Sequence, residues 1–158
     1  MAQTPESMVA SGAQVSAEAI LGHGVVVEAG ATVERAVSIG HGTVVGADVI
    51  VGERCVIGSH VVLHAGTILG DGCLVQDGAV LGKQPALART SSLRSSEPLP
   101  PLVLGRQVTV GAAAVLFAGA SVADEVIVGD QAYVRERAVV GASSVIGRGT
   151  GVDPEVVI

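Results

Sequence analysis

The sequence predicts an all-β solenoid, triangular in section, with three flat walls of six residues per turn. Three observations predict it. First, an aliphatic residue returns every six positions. The run begins Val9, Val15, Leu21, Val27 and continues without a miss to Leu81, 13 positions in all. It restarts at Leu104 and runs through 10 positions to Ile158. A period of six fits neither the 3.6 of a helix nor the 2.0 of a two-faced strand, and marks a repeat architecture. Second, the positions around that aliphatic residue, here called i, are patterned. Position i+1 is often glycine (Gly40, Gly46, Gly52, Gly58), and position i−2 is small or β-branched (Ala31, Thr43, Val49, Cys55). Third, the 158 residues include one Phe, one Tyr and no Trp. A globular core normally leans on large aromatic side chains, whereas the interior of a narrow solenoid admits small aliphatic ones.

Each hexad therefore has two inward residues, i−2 and i, alternating as in a short strand. A corner follows, and the 22 glycines are expected to supply positive φ there. Three walls close a turn of 18 residues, and stacked turns pair through parallel bridges about 4.8 Å apart. The whole chain, 1–158, reads as one domain: lower coils over 9–82, an extended loop over 83–103 and upper coils over 104–158, about eight turns in all. Cys55 and Cys73 lie 18 apart at the same place in the repeat. They are expected to stack inside as small hydrophobes rather than to form a disulfide framework.

The break carries the strongest functional signal. Residues 83–103, KQPALARTSSLRSSEPLPPLV, hold four of the six prolines and four serines, which cannot continue a central ladder. Leu81 to Leu104 is 23 residues, one hexad plus 17 extra, so the segment is placed as a loop thrown out from one corner. Loops on rigid scaffolds are favoured binding sites. Lys83, Arg89 and Arg94 outweigh Glu97 here, inverting the charge of an otherwise acidic chain, and phosphate groups would suit them.

Residues 18 apart sit above one another, so each histidine has a column. His64 follows Leu63, and its column reads Glu28, Gly46, His64, Gly82, then Phe117 and Arg135 above the loop. A base, a cationic loop, an aromatic and an arginine thus converge on one corner. His23, His41 and His60 fall at i+2 or i+3, where exposed corner residues are expected. Arg135, Glu136 and Arg137 form the densest charged patch of the upper coils, readable as a phosphate site or as an internal ion pair.

Net charge is −6, which disfavours nucleic acid as a partner because phosphate binding wants a basic face. No stretch approaches the 18 or so uninterrupted apolar residues of a membrane span. No Lys or Arg precedes Arg35, so the cationic region of a signal peptide is missing, and a cytoplasmic location is expected.

The repeat, aliphatic–Gly–x–x–small–x, resembles the hexapeptide pattern of the left-handed parallel β-helix acyltransferases over nearly the whole chain, most like the bacterial sugar-nucleotide N-acetyltransferases. That resemblance implies a left-handed turn, an exception to the usual right-handed crossover. It also implies a homotrimer with active sites in the clefts between subunits and a loop reaching towards a neighbour. The implied reaction is acyl transfer, with acetyl-CoA as cosubstrate, no bound cofactor and no metal. The acceptor would be an amino group of a nucleotide-linked sugar, and a histidine would act as general base. His64 takes that role on this reading, with Lys83, Arg89, Arg94, Phe117 and Arg135 as substrate- or CoA-binding residues. Imidazole suits the task because it takes a proton near neutral pH, and backbone N–H groups at tight corners would meet the oxyanion.

Three alternatives compete. A sugar O-acetyltransferase differs only in the acceptor. A γ-carbonic-anhydrase-like metalloenzyme would need three histidines around zinc, but His23, His60 and His64 are separated by 37 and 4 residues, out of step with two full turns of 36. A non-catalytic scaffold is the third: the chain stops on the inward position Ile158 with no helix after it, which suggests a last coil covered by a partner or a shortened enzyme.

Overall fold

The computed structural model describes residues 6–92, 94 and 97–158. Residues 1–5 of the domain, and 93, 95 and 96 of the loop, lie outside the described residues. The chain is an all-β solenoid of about eight turns, with no helix among the described residues. The described residues form 22 strands, two residues long except Val80–Lys83 and Val115–Phe117. They stack into three parallel sheets of eight, seven and seven strands. The register is the 18-residue one: Val62 and Leu63 pair with Val44 and Val45 below and with Val80 and Leu81 above. The first wall runs from Met8–Val9 through Val62–Leu63 to Gly151–Val152, and the loop leaves from its edge.

Positions i and i−2 fill the interior. Ile39, Ile57, Leu63, Leu81 and Leu116 from one set, and Val25, Ala31, Val49, Cys55 and Ala79 from the other, are all buried. Both aromatics stay outside: Tyr133 is exposed and Phe117 half-buried, as a bore this narrow requires. Outward Val26, Val44 and Val62 are half-buried, because each is shaded by its neighbours in adjacent turns.

The corner glycines work differently from the expectation. Of the glycines at i+1, only Gly82 has positive φ, at 80°. The left-handed residue is the third of the corner. It is glycine at Gly24, Gly42 and Gly66, but also Asp48, Arg54, His60 and Arg137, with φ between 54° and 60°. The i+1 glycines are needed for a second reason: a Cβ built on Gly40 would lie 2.6 Å from the Gly58 carbonyl carbon of the next turn. Ladder spacing leaves no room for a side chain there.

Polar side chains tie the turns together. At the middle of a corner, an aspartate accepts the backbone N–H of the turn below: Asp71 from Glu53 (2.9 Å), Asp77 from Ser59 (2.7 Å), Asp124 from Arg106 (2.8 Å) and Asp130 from Ala112 (2.9 Å). Inside, Thr43 Oγ1 donates to the Gly58 carbonyl at 2.7 Å, and the thiols of Cys55 and Cys73 donate to Gly70 and Gly105 at 3.2 Å. Both cysteines are buried and free. Contact with Cys73, together with burial, pushes the Cys55 thiol above its usual range, so it stays protonated and donates.

The coil resumes on the next wall at Val103–Leu104, paired with Ile68–Leu69. Leu102 already occupies the buried i−2 place. The excursion therefore lies between Lys83, which ends the strand Val80–Lys83, and Leu102. On its return, Leu99 lies against Gly119 and Pro101 beside Gly66, so the loop folds back along the corner it left.

Candidate functional site

The corner after the first wall gathers the predicted residues with one shift of register. Leu81 pairs with Leu116, but Lys83, rather than Gly82, pairs with Phe117. A bulge at Gly82 absorbs the extra residue and substitutes an ammonium for glycine beneath Phe117. Gly82 still lies over His64, in the column of Glu28 and Gly46, while Lys83 takes the place beneath Phe117 and Arg135. The sequence repeat placed Gly82 there, and nothing in a six-residue period signals the slip.

His64 is exposed. Its N–H donates to Leu81 O at 2.8 Å, and its own carbonyl accepts from Thr67 N at 3.2 Å. The backbone that carries the imidazole is therefore fixed by the turn above and by its own corner. The ring borders an open hollow of about 540 Å³ shared with Val80, Lys83, Gln84 and Val115, largely apolar in its walls with the Lys83 ammonium at its edge. Glu28, two turns lower, is committed elsewhere: its Oε2 accepts the Ala47 N–H at 2.9 Å.

Phe117 is flanked by two cations. Lys83 Nζ lies 5.5 Å from its ring centre and the Arg135 guanidinium 4.9 Å, both within cation–π range. Arg135 also grips Glu136 through two bonds of 2.8 and 2.9 Å. The Glu136 side chain is 4% exposed and that of Arg135 26%. Of the two sequence readings of this patch, the internal ion pair is the one formed, and it occupies the guanidinium fork that a phosphate would use.

A second hollow of about 360 Å³ lies between the loop and this corner, lined by Leu87, Arg94, Leu99, Glu136 and Arg137 among others. It joins Arg94 of the loop to Arg137 of the upper coils. Arg137 pairs only loosely with Glu155, at 4.0 Å. Gln84 was not singled out from the sequence, and Arg137 was marked there only as part of the charged patch with Arg135 and Glu136. Their place beside the loop became legible only once the loop's return path was known. Arg89 sits exposed at a turn, where Ser91 N–H bonds Ala88 O at 3.0 Å, and it lines neither hollow.

His23, His41 and His60 are exposed on a different corner. His41 Nδ1 accepts the His23 backbone N–H at 2.9 Å, and the two rings stack 5.3 Å apart. Among the described residues, no group of three His, Cys, Asp or Glu could hold a metal ion. His23 and His60 do not share a corner with His64, so these three cannot meet within one chain.

Two family models match the lower coils. Bacterial transferase hexapeptide (six repeats) matches residues 30–65, and the hexapeptide repeat of succinyl-transferase matches residues 48–83. Among solved structures, a UDP-N-acetylglucosamine O-acyltransferase from Moraxella catarrhalis is similar at TM-score 0.67 and 17% identity, over 98% of this chain and 61% of that one. A UDP-N-acetylglucosamine acyltransferase from Campylobacter jejuni gives TM-score 0.46 and 17% identity, over 94% and 68%. A mutant GDP-perosamine N-acetyltransferase from Caulobacter crescentus, solved with CoA and GDP-perosamine, gives 0.40 and 21%, over 94% and 53%. The likeness to the Moraxella protein shows a shared fold, and the chain spans less than two thirds of that protein's length. A search of curated proteins finds no match.

Proposed function

We propose that this chain, built on the hexapeptide repeat of the bacterial transferases, is a CoA-dependent acyltransferase that moves an acetyl group from acetyl-CoA to an amino group of a nucleotide-linked sugar. The observation that carries the reading is the exposed imidazole of His64 at the edge of the 540 Å³ hollow, on the corner from which the cationic loop departs. His64 accepts the proton of the acceptor amine as its nitrogen attacks the thioester carbonyl. The tetrahedral oxyanion is met by backbone N–H groups. Collapse breaks the C–S bond, and the proton held by His64 passes to the leaving thiolate, giving CoA and the amide. Nothing in this sequence of steps requires a metal or a covalent enzyme intermediate.

Lys83, Arg94 and Arg137 supply positive charge around the two hollows, suited to CoA or nucleotide phosphates. Phe117 holds Lys83 in place, and Arg135 is a structural partner of Glu136 rather than a free phosphate ligand. Arg89, at the loop tip, would act only on a neighbouring subunit, in keeping with a homotrimer whose sites lie between copies. A cytoplasmic location fits a reaction that draws on acetyl-CoA.

The test is thiol release from acetyl-CoA with a panel of amino-sugar nucleotides, run beside the matching hydroxyl sugars. His64→Ala is expected to lower kcat by 10²-fold or more, within the ~10²–10⁴ that a general base contributes, with the oligomer unchanged. Wild-type turnover in that variant would remove His64 as the base. Release confined to the hydroxyl panel would turn the reading to O-acylation.

A further inference from the structure

We infer that the Gly82–Lys83 peptide has two seats, and that Thr67 is the positioning residue that makes the second one accessible, so that Lys83 is delivered to or withdrawn from the edge of the His64 hollow. The link to acyl transfer rests on the function proposed above; the two seats rest on geometry alone.

The argument is a comparison of equivalent places in one molecule. Four interior i−2 positions of the closed turns carry a hydroxyl or thiol: Thr43, Cys55, Thr67 and Cys73. Three of them donate to the carbonyl of the corner residue that precedes the equivalent position one turn above: Thr43 to Gly58, Cys55 to Gly70, and Cys73 to Gly105 across the loop insertion. The counterpart of Thr67 is Gly82. Yet Thr67 Oγ1 is fully buried and has no hydrogen-bond partner among the described residues. The cause is local. Gly82 is the single i+1 glycine at positive φ, which turns its carbonyl away from the direction taken at Gly58, Gly70 and Gly105. A buried polar group left unpaired is destabilising, so the observed seat must be held by compensating contacts.

Those contacts belong to Lys83. Its carbonyl accepts the Ala118 N–H at 3.0 Å, it pairs with Phe117, and its ammonium lies over the Phe117 ring. In the other seat Gly82 takes ordinary negative φ, its carbonyl accepts the Thr67 hydroxyl as Gly58 accepts that of Thr43, and the bulge relaxes. Lys83 then leaves both Phe117 and the hollow it shares with His64. The observed seat leaves the buried Thr67 hydroxyl unpaired, and the other seat leaves the N–H of the buried Ala118 unpaired and gives up one cation–π contact, costs of the same order. Two seats of comparable free energy follow. Glycine is required at 82 because only it enters both φ regions freely.

Hydrogen exchange on the intact protein, read at the Ala118 amide, tests this without an activity assay. Thr67→Val removes the hydroxyl that rewards the second seat, and is expected to slow Ala118 exchange by about tenfold, the factor that one unpaired hydroxyl is worth. Thr43→Val, where the hydroxyl is partnered, is expected to lower Tm and leave Ala118 exchange relative to the neighbouring turns unchanged. Unchanged or faster exchange in Thr67→Val would overturn the two-seat reading, whatever the fate of the acyltransferase assignment. If exchange slows as expected but Thr67→Val does not change the KM for acetyl-CoA, the seats exist and the delivery of Lys83 to the donor is refuted.

Discussion

Two alanine substitutions at glycine separate the two reasons for glycine in these corners. In Gly24→Ala the new Cβ meets nothing within 4 Å, and the only cost is the left-handed φ of 69°. That cost is about 1 kcal/mol, the lower end of the penalty for an L-residue in this region. The same corner place already carries Asp48, Arg54 and His60 at φ of 54–58°, so the conformation is one the fold tolerates. In Gly40→Ala the φ is ordinary, but the Cβ lands 2.6 Å from both Gly58 C and Ser59 N. These are backbone atoms of the next turn, pinned by Gly40 N–H to Ile57 O at 2.8 Å and by Asp77 on the Ser59 N–H. Reaching ordinary contact requires the turns to part by most of an ångström. The expected cost is about 3 kcal/mol, the upper part of the overpacking range, because nothing flexible can yield. Urea unfolding measures both through the midpoint at constant slope. A larger loss in Gly24→Ala than in Gly40→Ala would refute the claim that close approach, and not φ, fixes glycine at i+1.

Other expectations follow from the same contacts. Arg135→Ala strands the buried Glu136 carboxylate and should cost about 3 kcal/mol, as for other broken buried pairs, while a double-mutant cycle with Glu136→Gln should recover most of it as coupling. Asp124 is held below the usual carboxylate range, chiefly by the Arg106 backbone N–H and then by its guanidinium. A depressed carboxylate stabilises the fold above its unfolded value, and that contribution is lost as pH falls. The gap between wild type and Asp124→Asn should therefore be widest near neutrality and close below about pH 4, the unfolded carboxylate value, as followed by thermal melts across pH. Cys55 and Cys73 are buried and should resist a water-soluble thiol reagent in the native state, both titrating only after denaturation. Reaction in the folded protein would contradict the dry interior.

The six-residue period alone determined the three walls, the two inward positions per hexad and the 18-residue register. It could do so because burial repeats identically in every turn: one inward position misassigned would have exposed a valine or buried a charge. The place of the loop was legible for the complementary reason, since prolines and serines cannot hold ladder positions. The pairing of Arg135 with Glu136, the slip of Lys83 into register beneath Phe117, and the return of Leu99 and Pro101 along the corner were decided by tertiary structure. Each depends on what lies one turn away and on a bulge that shifts the register by a single residue. The same holds for the glycines. Composition shows how many there are, but only the stacked backbones show which ones permit a left-handed turn and which ones make room for the turn above.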